Sequence, residues 1–479
     1  MVSSLIAQLQ SVTGKRYVHV GTRATHRFRK GYRYGDGEVM AAVEPGTLWE
    51  QWQVLQACVD ADIAIIMQAA NTGLTGGSTP FGTGYDRPIV IVNTLRIDRV
   101  DLIDEGRQAI CLPGATLDRL ERALRPMGRE PHSVIGSSCI GASVTGGICN
   151  NSGGSLVQRG PAYTQLSLFA QVTSERKLVL VNHLGIELGN SPEEVLTRLD
   201  RGHYSPSDIQ MSETAWASDR EYKTHVRDIS ASTPARFNAD PRRHYEVSGS
   251  AGKLAVFAVR MDTFPAASNE RVFYIGSNDP AQLQQIRRDL LGQCQHLPIA
   301  GEYMHKDAFD MAHVYGKDLF LFIRRFGTLN VPKAFAAKSW FDGVTESLHL
   351  GRHLSDRLLQ AASRLFPEHL PRRLLDYRDR YTHHLMLRTG GECIEEMRAY
   401  LAERFPAEHG DFFECTDEEG SAAFLNRFAS GGAVVRFRAV HTRTVEDIVA
   451  LDVALPRDAL DWFETLPPEI EARIERKFY

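Results

Sequence analysis

The chain has 479 residues, which leaves room for two to four domains of ordinary size. Hydrophobic residues make up 43% and charged residues 24%, so a packed core is available and a disordered chain is excluded. A net charge of -4 argues against a dedicated nucleic-acid binder, and no nucleic-acid partner is expected. Seven cysteines at 58, 111, 139, 149, 294, 393 and 415 contain no C-x-x-C pair. They read as reduced thiols, not as a disulfide framework or a zinc ribbon. The N-terminus lacks a signal-peptide pattern, and no apolar run approaches the ~18 residues that cross a bilayer.

Taken in chain order, residues 1–265 alternate apolar runs with helical stretches, an α+β pattern. "LWEQWQVLQACVDAD" (48–62) predicts a helix with Leu48, Trp52, Leu55 and Val59 on one face. "ADIAIIM" follows as a buried strand and opens into "QAANTGLTGGSTP" (68–80). Three glycines, two alanines and short hydroxyl side chains expose backbone there, which suits an anion or simply a turn. "RPIVIVNTL" and "RQAICLPG" predict two further strands. "TLDRLERALRPMG" predicts a helix burying Leu117, Leu120 and Leu124 and stopping at Pro126 and Gly128. "IGSSCIGASVTGGICNNSGG" (135–154) is a second small-residue stretch with six glycines. Two such stretches in one domain could wrap a ligand with two phosphates. Residues 205–225 read as an exposed polar loop, and "SAGKLAVFAVRMDTF" (250–264) as a buried strand. A boundary is expected near 265, at "PAASNE".

Beyond it, "VFYIGSNDPAQLQQIRRDLL" reads as strand, turn and helix. Between Lys317 and Arg388 there are thirteen Lys and Arg against seven Asp and Glu, interleaved with "LFLFIRRF" and "KSWF". A solvated basic face is the plain reading; attraction to an anionic membrane is the sharper one.

The common nucleotide motifs fail. The nearest Walker candidate, "GKL" at 252–254, has Leu where a hydroxyl is needed and Val247 where a glycine is needed. "GLTGGSTP" does not fit the Rossmann fingerprint and runs into Pro80. No HExxH and no G-x-S-x-G elbow occurs, and no metal site is expected.

The two small-residue stretches, with "PGATLDRLERALRPMGREPH" between them, resemble the PCMH-type FAD-binding module of vanillyl-alcohol oxidase flavoproteins. The chain is more closely similar to the respiratory quinone-dependent D-lactate dehydrogenases of bacteria. That resemblance continues in order through "LVNHLGIELG", "TPARFNADP", "AGKLAVFAVRMDTF", "AGEYMHKDAFD", "RDRYTHHLMLR", "GDFFECTDEEGSAAFLNRFA" and "LPPEIEARI". It implies an α+β fold: a PCMH-type FAD-binding domain of two α+β subdomains at 1–265, and an α+β cap at 266–304 and 382–479. A basic membrane-binding insert at 305–381 would interrupt the cap. It implies non-covalent FAD held by Ala69, Ala70, Asn71, Thr72, Gly73, Gly77 and Ser78 of the first loop. Gly136, Ser143 and Gly153 of the second stretch, and Val256 of the strand, would complete the set. It implies oxidation of D-lactate, or a similar 2-hydroxy acid, with electrons passed to a membrane quinone. The enzyme would sit on the cytoplasmic face of the inner membrane as a peripheral protein.

Flavin oxidation of a 2-hydroxy acid needs a cation for the carboxylate and an acceptor for the hydroxyl proton. The candidates are His384 and Arg388 in "THHLMLR" and His305 in "GEYMHKD", weighed against plain strand and surface roles. Members of this family run on past "ERKFY", with a His-containing stretch that contributes to the active site. The chain is therefore expected to be truncated, which leaves a flavin-binding, membrane-associated but inactive protein as an alternative.

Overall fold

The computed structural model describes residues 2–442 apart from 32–34, 74–75, 133–140, 238, 328–329, 332–333, 335–336, 339–340, 343, 346–347 and 349–353, together with 457, 468, 469 and 472. It resolves into two compact units.

The first unit takes residues 1–154, 159–220 and 236–266. Helix α1 (Val2–Thr13), β1 (Val18–Val20), α2 (Thr22–Arg29), β2 (Ala41–Val43), α3 (Leu48–Asp60), β3 (Ala64–Gln68) and β4 (Ile89–Asn93) build its first half. The strands form a sheet in the order β1-β2-β4-β3, with β4 parallel to both β2 and β3. Thr47 caps α3 by accepting the Glu50 N–H. The expected apolar face of α3 is only part of what it hides. Gln51, Val54, Ala57 and Cys58 are buried too, because α3 shares a core with Leu168 and Phe257 as well as with Val90 and Val92.

The second half holds β5 (Val100–Ile103), β6 (Gln108–Cys111), α4 (Leu117–Leu124), β7 (Arg129–Pro131), α5 (Val144–Cys149), β8 (Leu166–Val172), β9 (Leu178–Asn182), α6 (Pro192–Arg201) and β10 (Ala255–Pro265). The sheet is antiparallel, ordered β5-β6-β10-β8-β9, with β7 also on β10. Leu117, Leu120 and Leu124 are buried as their spacing predicts, against Val144 and Ile148 of α5.

The second unit takes 155–158, 221–235 and 267–479. Helix α7 (Tyr222–Arg227) is followed by β11 (Glu270–Ser277), α8 (Pro280–Gly292), β12 (Ala300–His305), α9 (Lys306–Tyr315) and α10 (Lys317–Phe326). Then come α11 (Leu354–Ser363), α12 (Arg372–Arg380), β13 (His383–Gly390), α13 (Cys393–Arg404), β14 (Gly410–Glu414) and α14 (Asp417–Val440). The sheet is antiparallel, ordered β12-β13-β11-β14. One face carries Phe273, Ile275 and Leu387 against Leu283 of α8 and Met397 of α13. The other carries Tyr274, Met304 and Met386 against Phe309 of α9, Phe320 of α10 and Ala422 of α14.

The reading of 205–225 as an exposed loop needs correction. Ala217, Ser218 and Tyr222 are buried, and α7 begins at Tyr222. This polar stretch hides few side chains, but Tyr222 and Val226 pack with Leu291 and Leu297 of the second unit. The divide falls at 266/267, inside "PAASNE". The segments 155–158 and 221–235 nevertheless belong to the later unit: Leu156 bridges to Ala300, and Arg227 donates to the Cys294 and Gln295 carbonyls.

Candidate functional site

The loop at 69–80 leaves the carboxyl end of β3, where the edge of a parallel sheet commonly meets ligands. Its two stems are tied by one pair of amide side chains. Gln68 and Asn93 are neighbours in register on β3 and β4, and both are buried. Asn93 Nδ2 donates to Gln68 Oε1 at 3.0 Å and to the Ala69 carbonyl at 2.9 Å. Gln68 Nε2 donates to the carbonyls of Ser78 at 2.7 Å and Phe28 at 2.8 Å. Asn71 sits at φ 53°, a left-handed conformation that Asn tolerates. Its Nδ2 donates to the Lys30 carbonyl at 2.8 Å and its Oδ1 accepts the Ser78 hydroxyl at 2.9 Å. Hydrogen bonds thus hold the two ends of the loop and Asn71 within it. Among the described residues, the N–H groups of Ala70, Asn71, Thr72, Gly73, Gly77 and Ser78 find no acceptor within the protein. A Cβ at Gly73 would enter open space. A set of unpaired amides on a loop tied at its ends suits an anion.

The second stretch is described from Gly141 onward; Gly136 lies outside the described residues. Ser143 bridges to Thr116 and caps α5, accepting the Gly146 N–H at 3.0 Å. Its side chain is therefore spent on the helix, in a buried position. Asn151 takes φ 44° and donates to the Arg243 carbonyl at 3.1 Å, while its Oδ1 is buried without a partner. Gly153 is required for a different reason: a Cβ there would overlap the Arg236 guanidinium. Arg236 Nη2 donates to the Gly154 carbonyl at 2.8 Å, and its buried Nη1 has no partner among the described residues. An unpartnered buried guanidinium nitrogen is costly unless something anionic meets it. Val256 is buried in the core beside Val144 and Ile148, at an irregularity in the pairing of β10 with β8, and its carbonyl accepts Gln51 Nε2 at 3.0 Å.

Free loop amides, a glycine with open space above it and an orphaned guanidinium beside the second glycine stretch all fit a dinucleotide with a pyrophosphate. The resemblance did not assign Gln68, Asn93 or Arg236. Arg236 was visible in "TPARFNADP" only as a lone cation in a polar run; Gln68 and Asn93 looked like strand ends.

The second unit holds His305, His384 and Arg388. His384 is fully buried on β13, with ring centroids 5.7 Å from Tyr274 and 5.6 Å from Phe309. Neither ring nitrogen makes a well-formed hydrogen bond. Burial, then Lys306 and the neighbouring histidines, pushes its pKa down to about 3. His305 lies opposite His383 and Met304 opposite His384 in the β12–β13 register. Side chains alternate across a sheet, so His305 and His384 project from opposite faces. His305 instead meets His383, at 5.4 Å between ring centroids, and His383 Nδ1 pairs with the Tyr303 hydroxyl at 2.8 Å. Burial and the neighbouring His305 lower the His383 pKa. His305 caps α9, accepting the Asp307 N–H at 3.2 Å, and its side chain is 37% exposed. Arg388 lies four residues beyond His384 on the same face, about 13 Å along by the rise of a strand. It faces Glu270 at 3.8 Å and the Phe424 ring at 5.8 Å. The three residues thus occupy three separate settings on one sheet.

A family model described as an FAD binding domain matches residues 39–173. One described as D-lactate dehydrogenase, membrane binding, matches residues 272–479. Over 481 residues the chain is 54% identical to a quinone-dependent D-lactate dehydrogenase of Haemophilus influenzae, covering 100% of this chain and 85% of that protein. Over 477 residues it is 53% identical to a quinone-dependent D-lactate dehydrogenase of Escherichia coli, covering 99% of this chain and 83% of that protein. Among solved structures it is similar to alkyldihydroxyacetonephosphate synthase, with TM-score 0.54 at 12% identity over 91% of this chain and 66% of that one. It is also similar to p-cresol methylhydroxylase, with TM-score 0.51 at 11% identity over 90% of this chain and 71% of that one. At such identities these two speak to fold alone, and the fold is that of PCMH-type flavoproteins.

Proposed function

Since the chain belongs to the family of quinone-dependent D-lactate dehydrogenases, we propose that it oxidises D-lactate to pyruvate on a bound FAD and delivers the electrons to a membrane quinone. The geometry that carries the flavin half of this reading is the pinned loop with its six unpaired amides. Kinship with the Haemophilus and Escherichia enzymes supports D-lactate and quinone.

Bound non-covalently, FAD supplies a two-electron acceptor for the hydride equivalent leaving C2 of the hydroxy acid. Ala69, Ala70, Asn71, Thr72, Gly73, Gly77 and Ser78 form the wall that receives its pyrophosphate. Ser143 and Gly153 belong to the second wall, Ser143 by fixing the start of α5; Gly136, expected beside them, lies outside the described residues. Val256 backs that helix from the core. Arg236 gives the site its buried positive charge. For the hydroxyl proton, His305 is the candidate with solvent access; His384 is closed off and at about 3 is a weak base near neutrality. Arg388 would hold a carboxylate only apart from His384.

Membrane attachment is assigned to the basic segment 305–381 as a peripheral contact with an anionic surface at the cytoplasmic face. Among the described residues no helix is long and apolar enough to cross a membrane. Large apolar side chains stand exposed along this stretch: Phe326, Phe341, Leu348, Leu358, Leu365 and Phe366, with Leu365 at 87%. Exposed apolar groups among basic residues suit insertion at a lipid interface.

Purified protein on anionic vesicles containing a short-chain quinone tests the whole reading. D-lactate should drive quinone reduction with one pyruvate formed per quinol, and L-lactate should not. Reduction by glycolate or 2-hydroxybutyrate in preference to D-lactate would move the substrate to another 2-hydroxy acid. No reduction with any of them, by a flavin-loaded protein, would overturn the enzymatic reading.

A further inference from the structure

Helix α9 and the turn before α12 bring His313, Glu368 and His369 together, with their ligating atoms within 4.8 Å of one another. His313 Nε2 lies 3.0 and 3.1 Å from the two Glu368 oxygens. His369 Nδ1 lies 3.2 Å from Glu368 Oε1. The carboxylate is held in place by the N–H groups of His369 at 2.7 Å and Leu370 at 3.1 Å. The two imidazoles are 5.2 Å apart between centroids, with planes within 14°, and the Phe320 edge closes the other side of His369 at 4.7 Å.

An ordinary His313–Glu368 ion pair accounts for part of this arrangement. It leaves His369 unexplained. That side chain is 0% exposed, and neither ring nitrogen has a hydrogen bond, although Nδ1 is close enough to Glu368 for one. The distance suits a hydrogen bond and the direction does not. A buried imidazole without a partner is expensive. Ligand atoms sharing a tetrahedral zinc at bonds of about 2.0–2.1 Å stand about 3.3 Å apart; both imidazole-to-carboxylate spacings are close to that, and the two imidazoles lie within 4.8 Å of one another.

We propose that His313, Glu368 and His369 form a divalent transition-metal site, with zinc the best match to two imidazole nitrogens and one carboxylate oxygen. Glu368 is 44% exposed on its side chain, so an ion has an entry path and a fourth position open to water. The ion would tie α9 to the turn between α11 and α12. The two points are 55 positions apart, and the chain between them carries all six exposed apolar groups assigned above to the membrane. The role is that of a clasp on the membrane-binding segment and is separate from the flavin chemistry. Binding needs the imidazoles neutral and the carboxylate ionised, so affinity falls on acidification.

The test uses the FAD-loaded full chain, dialysed against a chelator and titrated with Co²⁺, then with Zn²⁺ in competition. The expected result is one equivalent of Co²⁺ with a visible d–d band, displaced by Zn²⁺, and a raised unfolding midpoint. His313→Asn and Glu368→Gln should each weaken binding at least tenfold with FAD content unchanged. Absence of a band with the parent protein at submillimolar Co²⁺ would overturn the site, as would parent-like binding by the two variants. The parent titration decides the matter even if a variant fails to fold.

Discussion

Arg236 is the residue at which the proposed cofactor site is most open to test. Its Nη1, buried beside Gly153, has no partner among the described residues, and a charge-assisted bond to an anion contributes about 1.5–3 kcal/mol. Arg236→Ala should therefore weaken FAD binding by roughly ten- to a hundredfold, read by flavin fluorescence on titrating apoprotein. Arg236→Lys should recover only part, because a single ammonium cannot also hold the Gly154 carbonyl in the same fork geometry. Unchanged affinity in Arg236→Ala would remove this residue from the site. His384 makes a prediction of another kind. Its pKa is about 3 in the folded chain and near 6.5 when unfolded, so the unfolded chain binds the extra proton between those values. Stability is full above about pH 6.5 and falls as the pH drops through that window, by about 2 kcal/mol at pH 5. Buried His132, held to about 4 chiefly by burial, adds in the same direction. His384→Phe keeps the ring between Tyr274 and Phe309 and should flatten the dependence, measured as urea midpoints at pH 7 and pH 5. A variant with the parent's full slope would show that His384 is not the titrating group. Sequence pattern singled out His384 because two adjacent histidines are conspicuous. It could not show that one of them faces the core, which follows from which strands β13 joins.

At the scale of elements, local pattern is reliable where one face decides the burial. Helix α4, with Leu117, Leu120 and Leu124 on one face, was legible because that face depends on residues a few positions apart. The full burial of α3 was not, since it depends on residues more than a hundred positions away, including Gln51 bonding to the Val256 carbonyl. The glycine stretches stand out in the sequence through their composition, and their role in holding an anion belongs to the proposal. The amide pair that ties the first one was not legible, because Gln68 and Asn93 meet only through the parallel pairing of β3 and β4. The membrane segment carries its own prediction. Leu365→Ser with Phe366→Ser removes two exposed apolar groups, each contributing about 1.5–3 kcal/mol on burial. Vesicle affinity should fall at least tenfold, while quinone-independent oxidation of D-lactate in detergent should stay at the parent's rate. Raising salt should release the parent protein from anionic vesicles, since screening shortens to about 3 Å at 1 M. Salt-insensitive binding with the double variant unaffected would place the attachment elsewhere.

For the whole molecule, charge is unevenly shared. The chain is -4 overall, yet thirteen Lys and Arg face seven Asp and Glu between Lys317 and Arg388. One unit carries the two small-residue stretches, and the other the basic and exposed apolar stretch. Linear reading expected a boundary near 265; the second unit also takes in two earlier segments, because short polar stretches carry no signal of which core receives them. The central claim is that this chain holds FAD and reduces it with D-lactate. The most direct measurement is the anaerobic visible spectrum of the purified protein before and after D-lactate. The account predicts oxidised-flavin absorbance that bleaches with D-lactate, stays with L-lactate, and yields one pyruvate per flavin. A flavin-loaded protein whose spectrum D-lactate leaves unchanged would contradict it.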